Sequence, residues 1–218
     1  MLRRPAREIP LPMVTTLYAL KPKFQELLRP LVGRLAAAGV TANHVTVLAL
    51  AMSVAAGAFV ALEADDVAHF LLLPLVFVAR MTLNAIDGML AREFGQQSPL
   101  GAYLNELADV VSDAALYLPF AFVAPFGPWS IGLVIFASCV SEMAGALGPM
   151  VGTARRFDGP MGKSDRALVF GALGLYVGLG YSLPQAAFWL LPALVLLIGW
   201  NVVVRVHRGA ASAKRLAR

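Results

Sequence analysis

Six apolar stretches constrain what this chain can fold into. Each is long enough to cross a lipid bilayer as a helix, which takes about 20 residues. The sequence predicts these spans near residues 44–62, 68–91, 101–124, 128–149, 166–182 and 185–204. Of the 218 residues, 59% are hydrophobic and 14% are charged, whereas soluble domains carry about 25% charged residues. We therefore expect an all-α membrane protein with six transmembrane helices.

The distribution of charge predicts how the spans are oriented. The connections near 63–67, 125–127 and 183–184 contain no Lys or Arg. Nearly all the positive charge lies in the N-terminal arm, the connections at 92–100 and 150–165, and the C-terminal tail. Because basic loops stay in the cytoplasm, we expect both termini there. The net charge of +5 then requires only anionic lipid head groups as a partner, and no nucleic acid.

The chain is expected to have three parts. Residues 1–40 are a cytoplasmic arm followed by an amphipathic helix in the membrane interface, because apolar residues recur at helical spacing from Thr16 to Ala38. A soluble surface helix is the alternative for this segment, and Pro30 should kink or divide it. Residues 41–206 form the transmembrane domain that carries the site, and residues 207–218 form a basic cytoplasmic tail.

A polar stretch, residues 84–113, interrupts two of the apolar spans. Within this stretch, four carboxylates lie together on two consecutive apolar segments, namely Asp87, Glu106, Asp109 and Asp113. An ionisable side chain at the centre of a bilayer costs about 2.5–3.5 kcal/mol on insertion scales. Carboxylates at these positions therefore indicate a functional site.

The spacing of the polar residues places them on two helix faces. The first face comprises Asn84, Asp87, Gly88 and Ala91. The second face comprises Gly101, Asn105, Asp109 and Asp113. Carboxylate and amide oxygens that converge between helices are the ligands that Mg²⁺, Mn²⁺ or Ca²⁺ prefer. The small residues leave room for a bulky group beside a metal ion, and Arg92 is suited to bind a phosphate.

The same residues resemble the motif of the CDP-alcohol phosphatidyltransferase family, D-x2-D-G-x2-A-R-x8-G-x3-D-x3-D. Six of its eight fixed positions match, namely Asp87, Gly88, Ala91, Arg92, Gly101 and Asp109. Asn84 and Asn105 replace the first and third aspartates. Together with the G-K-S-D-R-A run at 162–167, this pattern is similar to an uncharacterised enterobacterial branch of the family.

The resemblance implies an activity and a location. The protein would transfer the phosphatidyl group of CDP-diacylglycerol to the hydroxyl of a small polar alcohol, phosphorylated or not, and release CMP. It would use Mg²⁺ or Mn²⁺, and Ca²⁺ could occupy the same site. A homodimer in the bacterial inner (cytoplasmic) membrane is expected, with the active site facing the cytoplasm. The donor could also be a CDP-alcohol, because the motif is common to both directions of use.

The resemblance also implies roles for individual residues. The general base would be Asp109. The metal ligands would be Asn84, Asp87, Asn105 and Asp109, with Glu106 and Asp113 as candidates to replace the missing negative charge. The nucleotide-binding residues would be Gly88, Ala91, Arg92 and Gly101, with Asn43 and Thr46 as further candidates unless their T-x-N-x-x-T run serves helix capping alone. The acceptor-binding residues would be Arg155, Arg156, Lys163 and Arg166, although basic loops can also serve topology alone.

Further polar groups and two other functions complete the predictions. Arg80 is expected to pair with a carboxylate of the pocket, and Glu142 is expected to pair with an arginine or, alternatively, to bind a metal ion. The last span, rich in Leu, Val and Trp, is expected to serve packing or lipid contact. One alternative function is a CDP-lipid-binding or metal-binding family member without catalysis, because two acids of the motif are amides. The other is a small transporter with a polar site in the bilayer.

Overall fold

The computed structural model describes residues 21–216, which form seven α-helices. These helices are α1 (Lys21–Ala37), α2 (Ala42–Leu62), α3 (Leu72–Glu93), α4 (Pro99–Tyr117), α5 (Pro128–Ala146), α6 (Lys163–Gly178) and α7 (Leu190–Leu216). Short 3₁₀ segments lie at Val67–Leu71, Leu118–Phe122, Gly148–Val151 and Gln185–Trp189. The described part of the chain contains no strand, which confirms the all-α fold class. The arm before residue 21, with the predicted helix start at Thr16, and residues 217–218 lie outside the described residues.

Within residues 21–216, four segments are long and apolar enough to cross a membrane. They are Ala42–Leu62, Val67–Glu93, Pro128–Val151 and Gln185–Leu216. The other two predicted spans correspond to α4, which carries three carboxylates, and to α6, which has 16 residues. Both nevertheless pack into the bundle, α4 against α2 and α6 against α3. The total of six spans therefore stays a prediction for α4 and α6.

Close packing of α2 on α4 brings the polar residues of the bundle together. At Gly57 the backbone of α2 lies against the carbonyl of Ala115, where a Cβ atom would collide. Small residues permit such close contact between membrane helices. Apolar clusters lie at both ends of α3, one around Phe70 and Phe77 and the other around Met89. The polar residues of α3 are therefore flanked by apolar packing on both sides.

α1 lies along the C-terminal end of α3. It buries Leu28 and Val32. The sequence suggested that Pro30 could kink or divide this segment, but α1 runs undivided from Lys21 to Ala37. Its other face exposes Phe24, Leu27 and Leu31. An exposed apolar face is compatible with a position in the membrane interface, which stays a prediction.

The short connection between α3 and α4 determines how these two helices meet. Gly95 adopts a φ of +66°, a left-handed conformation that glycine tolerates best. Ser98 caps α4 by accepting a hydrogen bond from the amide of Gly101 at 3.0 Å. Gln96 accepts a hydrogen bond from the amide of Ala42 at 2.7 Å. These contacts hold the start of α2 next to the turn, so three helices converge at the candidate site.

Candidate active site

Two buried carboxylates, Asp87 on α3 and Asp109 on α4, form the centre of the site. Each residue is 5% exposed. Asn84, one turn before Asp87, donates a hydrogen bond from Nδ2 to Oδ1 of Asp109 at 3.1 Å. Thr46 of α2 donates its hydroxyl to Oδ2 of Asp87 at 2.9 Å. The structure thus brings the two predicted carboxylates together with Asn84 and Thr46.

Asp109 also accepts hydrogen bonds from two cationic side chains. Lys163, the first residue of α6, places Nζ 2.6 Å from Oδ2 of Asp109. Arg80 donates to Oδ1 of Asp109 at 3.2 Å and to its main-chain carbonyl at 3.0 Å. The Lys163 side chain is 30% exposed and the Arg80 side chain only 2%. Lys163 can therefore leave Asp109 without disturbing the core, whereas Arg80 is part of the core.

Asp113, one turn beyond Asp109, is neutralised by two buried arginines. Arg80 Nη1 lies 2.6 Å from Oδ1 of Asp113, and Arg166 Nη2 lies 3.0 Å from Oδ2. Removing one partner from a buried ion pair is strongly destabilising, so these contacts tie α3, α4 and α6 together. Both oxygens of Asp113 are bound to guanidinium groups, and the Arg166 side chain is 0% exposed. The metal-binding role of Asp113 and the acceptor-binding role of Arg166 stay predictions.

A second ion-pair cluster lies on the other side of Arg166. Arg155 donates to Glu106 at 2.7 Å and to Glu142 at 3.0 Å, and Arg166 donates to Glu142 at 3.0 Å. The guanidinium of Arg155 also stacks on the ring of Phe157, 4.5 Å from its centroid. Glu142 thus pairs with arginines, as predicted. Glu106 is bound by Arg155, and its candidate role as a metal ligand stays a prediction.

Two pairs of the predicted nucleotide-binding residues lie in close contact, Gly88 with Arg92 and Gly101 with Asn43. A Cβ atom on Gly88 would lie 2.8 Å from Nη2 of Arg92, so the absence of a side chain lets Arg92 fold back over α3. Likewise, a Cβ atom on Gly101 would lie 2.8 Å from Oδ1 of Asn43. Ala91 follows Gly88 by three residues, and Thr46 follows Asn43 by three, so each shares a helix face with its partner.

The predicted acceptor-binding residues divide into two groups. Arg155 and Lys163 point to the carboxylates of the site and have side chains 20% and 30% exposed. Arg156 instead binds Asp158 at 2.7 Å, and Arg166 is buried as described above. Arg155 and Lys163 are therefore the two cations best placed to meet an acceptor beside Asp109.

The donors available to a metal ion are two carboxylates and two amides. Among residues 21–216, no group of three or more His, Cys, Asp or Glu side chains could hold a metal ion. Asp87 and Asp109 supply the charge, Asn84 supplies an amide oxygen, and Asn105 lies one turn before Asp109 on the same face. Mg²⁺ and Mn²⁺ accept such oxygen ligands together with several water molecules. The donor set fits one ion, provided that Lys163 leaves Oδ2 of Asp109.

The sequence did not point to the polar residues of α7. Asn201 lies in the last predicted span, for which only packing or lipid contact was expected, and Arg205 lies one residue beyond that span; both side chains are buried. Asn201 accepts a hydrogen bond from Ser141 on α5 at 2.8 Å, and Arg205 donates to the main-chain carbonyl of Ser141. Their separation by four residues, one helical turn, was the available signal.

Two curated relatives cover most of the chain. Inner membrane protein YnbA of Escherichia coli is 49% identical over 174 residues, which make up 80% of this chain and 85% of that protein. Archaetidylinositol phosphate synthase of Pyrococcus horikoshii is 27% identical over 147 residues, covering 63% of this chain and 74% of that protein.

Solved structures of one enzyme share the fold. Mycobacterium tuberculosis phosphatidylinositol phosphate synthase, in complex with manganese and citrate, superposes with a TM-score of 0.65 at 22% identity, over 83% of this chain and 87% of that chain. The same enzyme with CDP-DAG bound gives a TM-score of 0.66 at 22% identity, over 83% of this chain and 92% of that chain. A family model for CDP-alcohol phosphatidyltransferases matches residues 39–204, most of the described part. This protein therefore belongs to the CDP-alcohol phosphatidyltransferase family.

Proposed function

We propose that this protein transfers the phosphatidyl group of CDP-diacylglycerol to the hydroxyl of a small polar alcohol and releases CMP. The observation that carries the proposal is the position of Asp109. It is buried and accepts hydrogen bonds from Asn84, one turn before Asp87 and Gly88, and from Lys163, a predicted acceptor-binding cation. The relatives support it, since one is named a synthase of archaetidylinositol phosphate and a structural neighbour has CDP-DAG bound.

Asp109 is the proposed general base. Arg80 and Asn84 hold its Oδ1 and so orient the carboxylate, while Oδ2 becomes available when Lys163 moves. The Asp109 carboxylate takes the proton of the acceptor hydroxyl, and the acceptor oxygen forms a bond to the phosphorus that carries diacylglycerol. The bond from that phosphorus to the bridging oxygen of the pyrophosphate breaks, and CMP leaves.

Asn84, Asp87, Asn105 and Asp109 are the residues proposed to hold Mg²⁺ or Mn²⁺. When bound, the ion would neutralise charge that develops on the pyrophosphate oxygens. The two asparagines contribute neutral oxygens where carboxylates would contribute charge. Metal affinity is therefore expected to be lower than for a site with four carboxylates.

The two substrates are proposed to enter from different sides of Asp109. The nucleotide of the donor would lie on Gly88, Ala91, Arg92 and Gly101, bordered by Asn43 and Thr46. Arg155 and Lys163 would bind the acceptor from the opposite side, with Arg156 at the edge. A phosphorylated polyol suits this pair of cations, because guanidinium and ammonium groups bind phosphate through charge-assisted hydrogen bonds.

The proposed location is the bacterial inner (cytoplasmic) membrane, with both termini and the active site in the cytoplasm. The four apolar segments and the name of the Escherichia coli relative support the membrane, and the basic connections support the orientation. A homodimer is proposed from the family resemblance.

A second candidate function is binding of a CDP-lipid or a metal ion without catalysis. It is favoured by one specific observation, namely that Lys163 and Arg80 already neutralise Asp109 while Asn84 and Asn105 carry no charge. This candidate predicts donor binding without turnover.

CMP release separates the two candidates. Purified protein in detergent would be given CDP-diacylglycerol, Mg²⁺ or Mn²⁺, and a panel of polyols and polyol phosphates. We expect metal-dependent CMP release with one class of acceptor. Binding of CDP-diacylglycerol without CMP release across the panel would reject the transferase and support the second candidate.

A further inference from the structure

The loop that leads into α6, residues 152–162, is contacted by a buried side chain of α7, Asn201. The main-chain carbonyls of Asp158 and Pro160 accept hydrogen bonds from Nδ2 of Asn201, at 3.1 and 2.7 Å. Both amide hydrogens of Asn201 are used in this way. The loop leads directly into Lys163, so its position determines where α6 begins.

Asn201 itself has one defined orientation. Its side chain is fully buried, and its Oδ1 accepts a hydrogen bond from the hydroxyl of Ser141 on α5 at 2.8 Å. A side-chain amide whose two donors and whose oxygen are all bonded cannot rotate without losing buried hydrogen bonds. Asn201 is therefore a rigid link between α5, α7 and the loop.

Gly159 brings the main chain of the loop directly against Asn201. A Cβ atom at Gly159 would lie 2.9 Å from Nδ2 of Asn201 and 3.0 Å from its Cα. The φ of Gly159 is +95°, a conformation that residues with a Cβ atom rarely adopt. Both the contact and the conformation thus depend on the absence of a side chain at this position.

A second set of contacts holds the same loop at its edge. The carboxylate of Asp158 binds Arg156 at 2.7 Å and Arg208 at 2.8 Å, and Arg205 donates to the Asp158 carbonyl at 3.3 Å. Partial burial alone would raise the pKa of Asp158, but the guanidinium groups of Arg208 and Arg156 outweigh it and hold the pKa below its usual range. Residues 201, 205 and 208 of α7 therefore contact the loop from one helix face.

We propose that Asn201 is a positioning residue for the acceptor site. It holds the 152–162 loop so that Arg155 and Lys163 lie beside Asp109. Asn201 touches no reacting atom and acts through the loop alone. Its effect on the acceptor rests on the proposed function, whereas its effect on the loop does not.

Hydrogen exchange of the amides of the 152–162 loop tests, without any substrate, whether Asn201 holds the loop in place. Replacing Asn201 by Leu keeps a similar volume and removes both donors, so we expect loop protection to fall at least about tenfold. Leu194→Ala, which removes buried packing from the same helix, is the control for a general loosening of α7. Unchanged protection of the loop in Asn201→Leu, or an equal loss of protection throughout the bundle, would overturn the proposal.

A matched pair of glycine variants tests the same contact from the loop side. Gly159 and Gly152 both have a positive φ, +95° and +77°, but a Cβ atom on Gly152 would meet nothing within 4 Å. We expect Gly159→Ala to loosen the loop as Asn201→Leu does and Gly152→Ala to have a smaller effect. Equal effects of the two alanines would mean that contact with Asn201 does not hold the loop.

Steady-state kinetics test the consequence for the acceptor. Asn201→Leu should raise the acceptor KM about tenfold and leave kcat and the KM for CDP-diacylglycerol within about twofold of wild type. A lowered kcat with an unchanged acceptor KM would reject positioning of the acceptor site. If wild-type protein releases no CMP, the proposed function fails, and hydrogen exchange still decides whether Asn201 holds the loop.

Discussion

Asp109 receives hydrogen bonds from the side chains of Lys163, Arg80 and Asn84, which approach it from three directions. Lys163 and Asn84 bind different oxygens of the carboxylate, at 2.6 and 3.1 Å. Asn84 is the only one of the three that carries no charge. The side chain at position 84 therefore decides whether Asp109 has a neutral donor or a second carboxylate beside it, and hence how strongly the site attracts a divalent cation.

Replacing Asn84 by Asp should strengthen metal binding. The variant adds a carboxylate oxygen in place of an N–H donor, and we expect Mn²⁺ affinity to rise about tenfold. Titration of purified protein with Mn²⁺, followed by calorimetry or electron paramagnetic resonance, measures this directly. Gln97→Glu adds the same charge at an exposed position and serves as the control. Equal Mn²⁺ affinity in the two variants would show that residue 84 is not a metal ligand.

The centre of the site could be predicted because it follows from helical spacing. The two helices that carry Asn84, Asp87 and Asp109 are consecutive and are joined by a short turn. The proximity of these residues therefore depends mainly on nearby sequence. Arg80 was expected to pair with a carboxylate of the pocket, and it binds Asp113. The more distant partners of Asp113 and Glu106 could not be predicted in this way. Arg166 and Arg155 reach them from 53 and 49 residues away, and such pairings depend on the packing of the whole bundle.

At the scale of elements, α2 carries Thr46, which binds Asp87 of α3, and α2 packs closely against α4, the helix of Asp109. That contact depends on Gly57, which lies against the main-chain carbonyl of Ala115. Helix propensity alone would favour alanine over glycine in a helix interior. The glycine is therefore explained by packing rather than by local conformation.

A pair of glycine-to-alanine variants tests this explanation. We expect Gly57→Ala to destabilise the protein by about 1–3 kcal/mol, because the added methyl group forces two backbones apart. Gly132→Ala on α5 introduces a methyl group that meets nothing within 4 Å, so it should be neutral or stabilising by about 0.5–1 kcal/mol. Thermal unfolding in detergent measures both. A Gly57→Ala variant as stable as Gly132→Ala would contradict close packing at this point.

The presence of each helix could be predicted from the sequence. The residues at which a helix ends and the contacts that it makes could be predicted less well. Hydrophobic runs and caps such as Ser98 follow from the sequence near each helix. In contrast, the apolar part of α7 was expected to serve only packing or lipid contact, although it contains the buried Asn201, and the buried Arg205 lies one residue beyond that predicted span. Their contacts with the 152–162 loop depend on the folded bundle, so they could not be predicted from the sequence of α7.

At the scale of the whole molecule, the proposed orientation requires the site, the 152–162 loop and both termini to face the same side of the membrane. The acidic connection after α2, with Glu63, Asp65 and Asp66, would face the opposite side. The asymmetry of Lys and Arg favours the cytoplasm for the basic side.

Cysteine labelling tests this orientation. The chain has one cysteine, so a Cys139→Ala background can carry single cysteines at Asp65 or Lys214. In intact bacterial cells, a membrane-impermeant maleimide should label Asp65→Cys, and it should label Lys214→Cys only after the inner membrane is permeabilised. The reverse pattern would mean that the site faces away from the cytoplasm.

Product stoichiometry is the most direct test of phosphatidyl transfer at Asp109. CMP and the new phospholipid would be quantified together, by chromatography and mass spectrometry, for wild-type protein and for a folded Asp109→Asn variant. We expect equal amounts of both products from wild type and neither from the variant, because the variant lacks a base for the acceptor proton. CMP without the phospholipid, or undiminished products from Asp109→Asn, would contradict phosphatidyl transfer at Asp109.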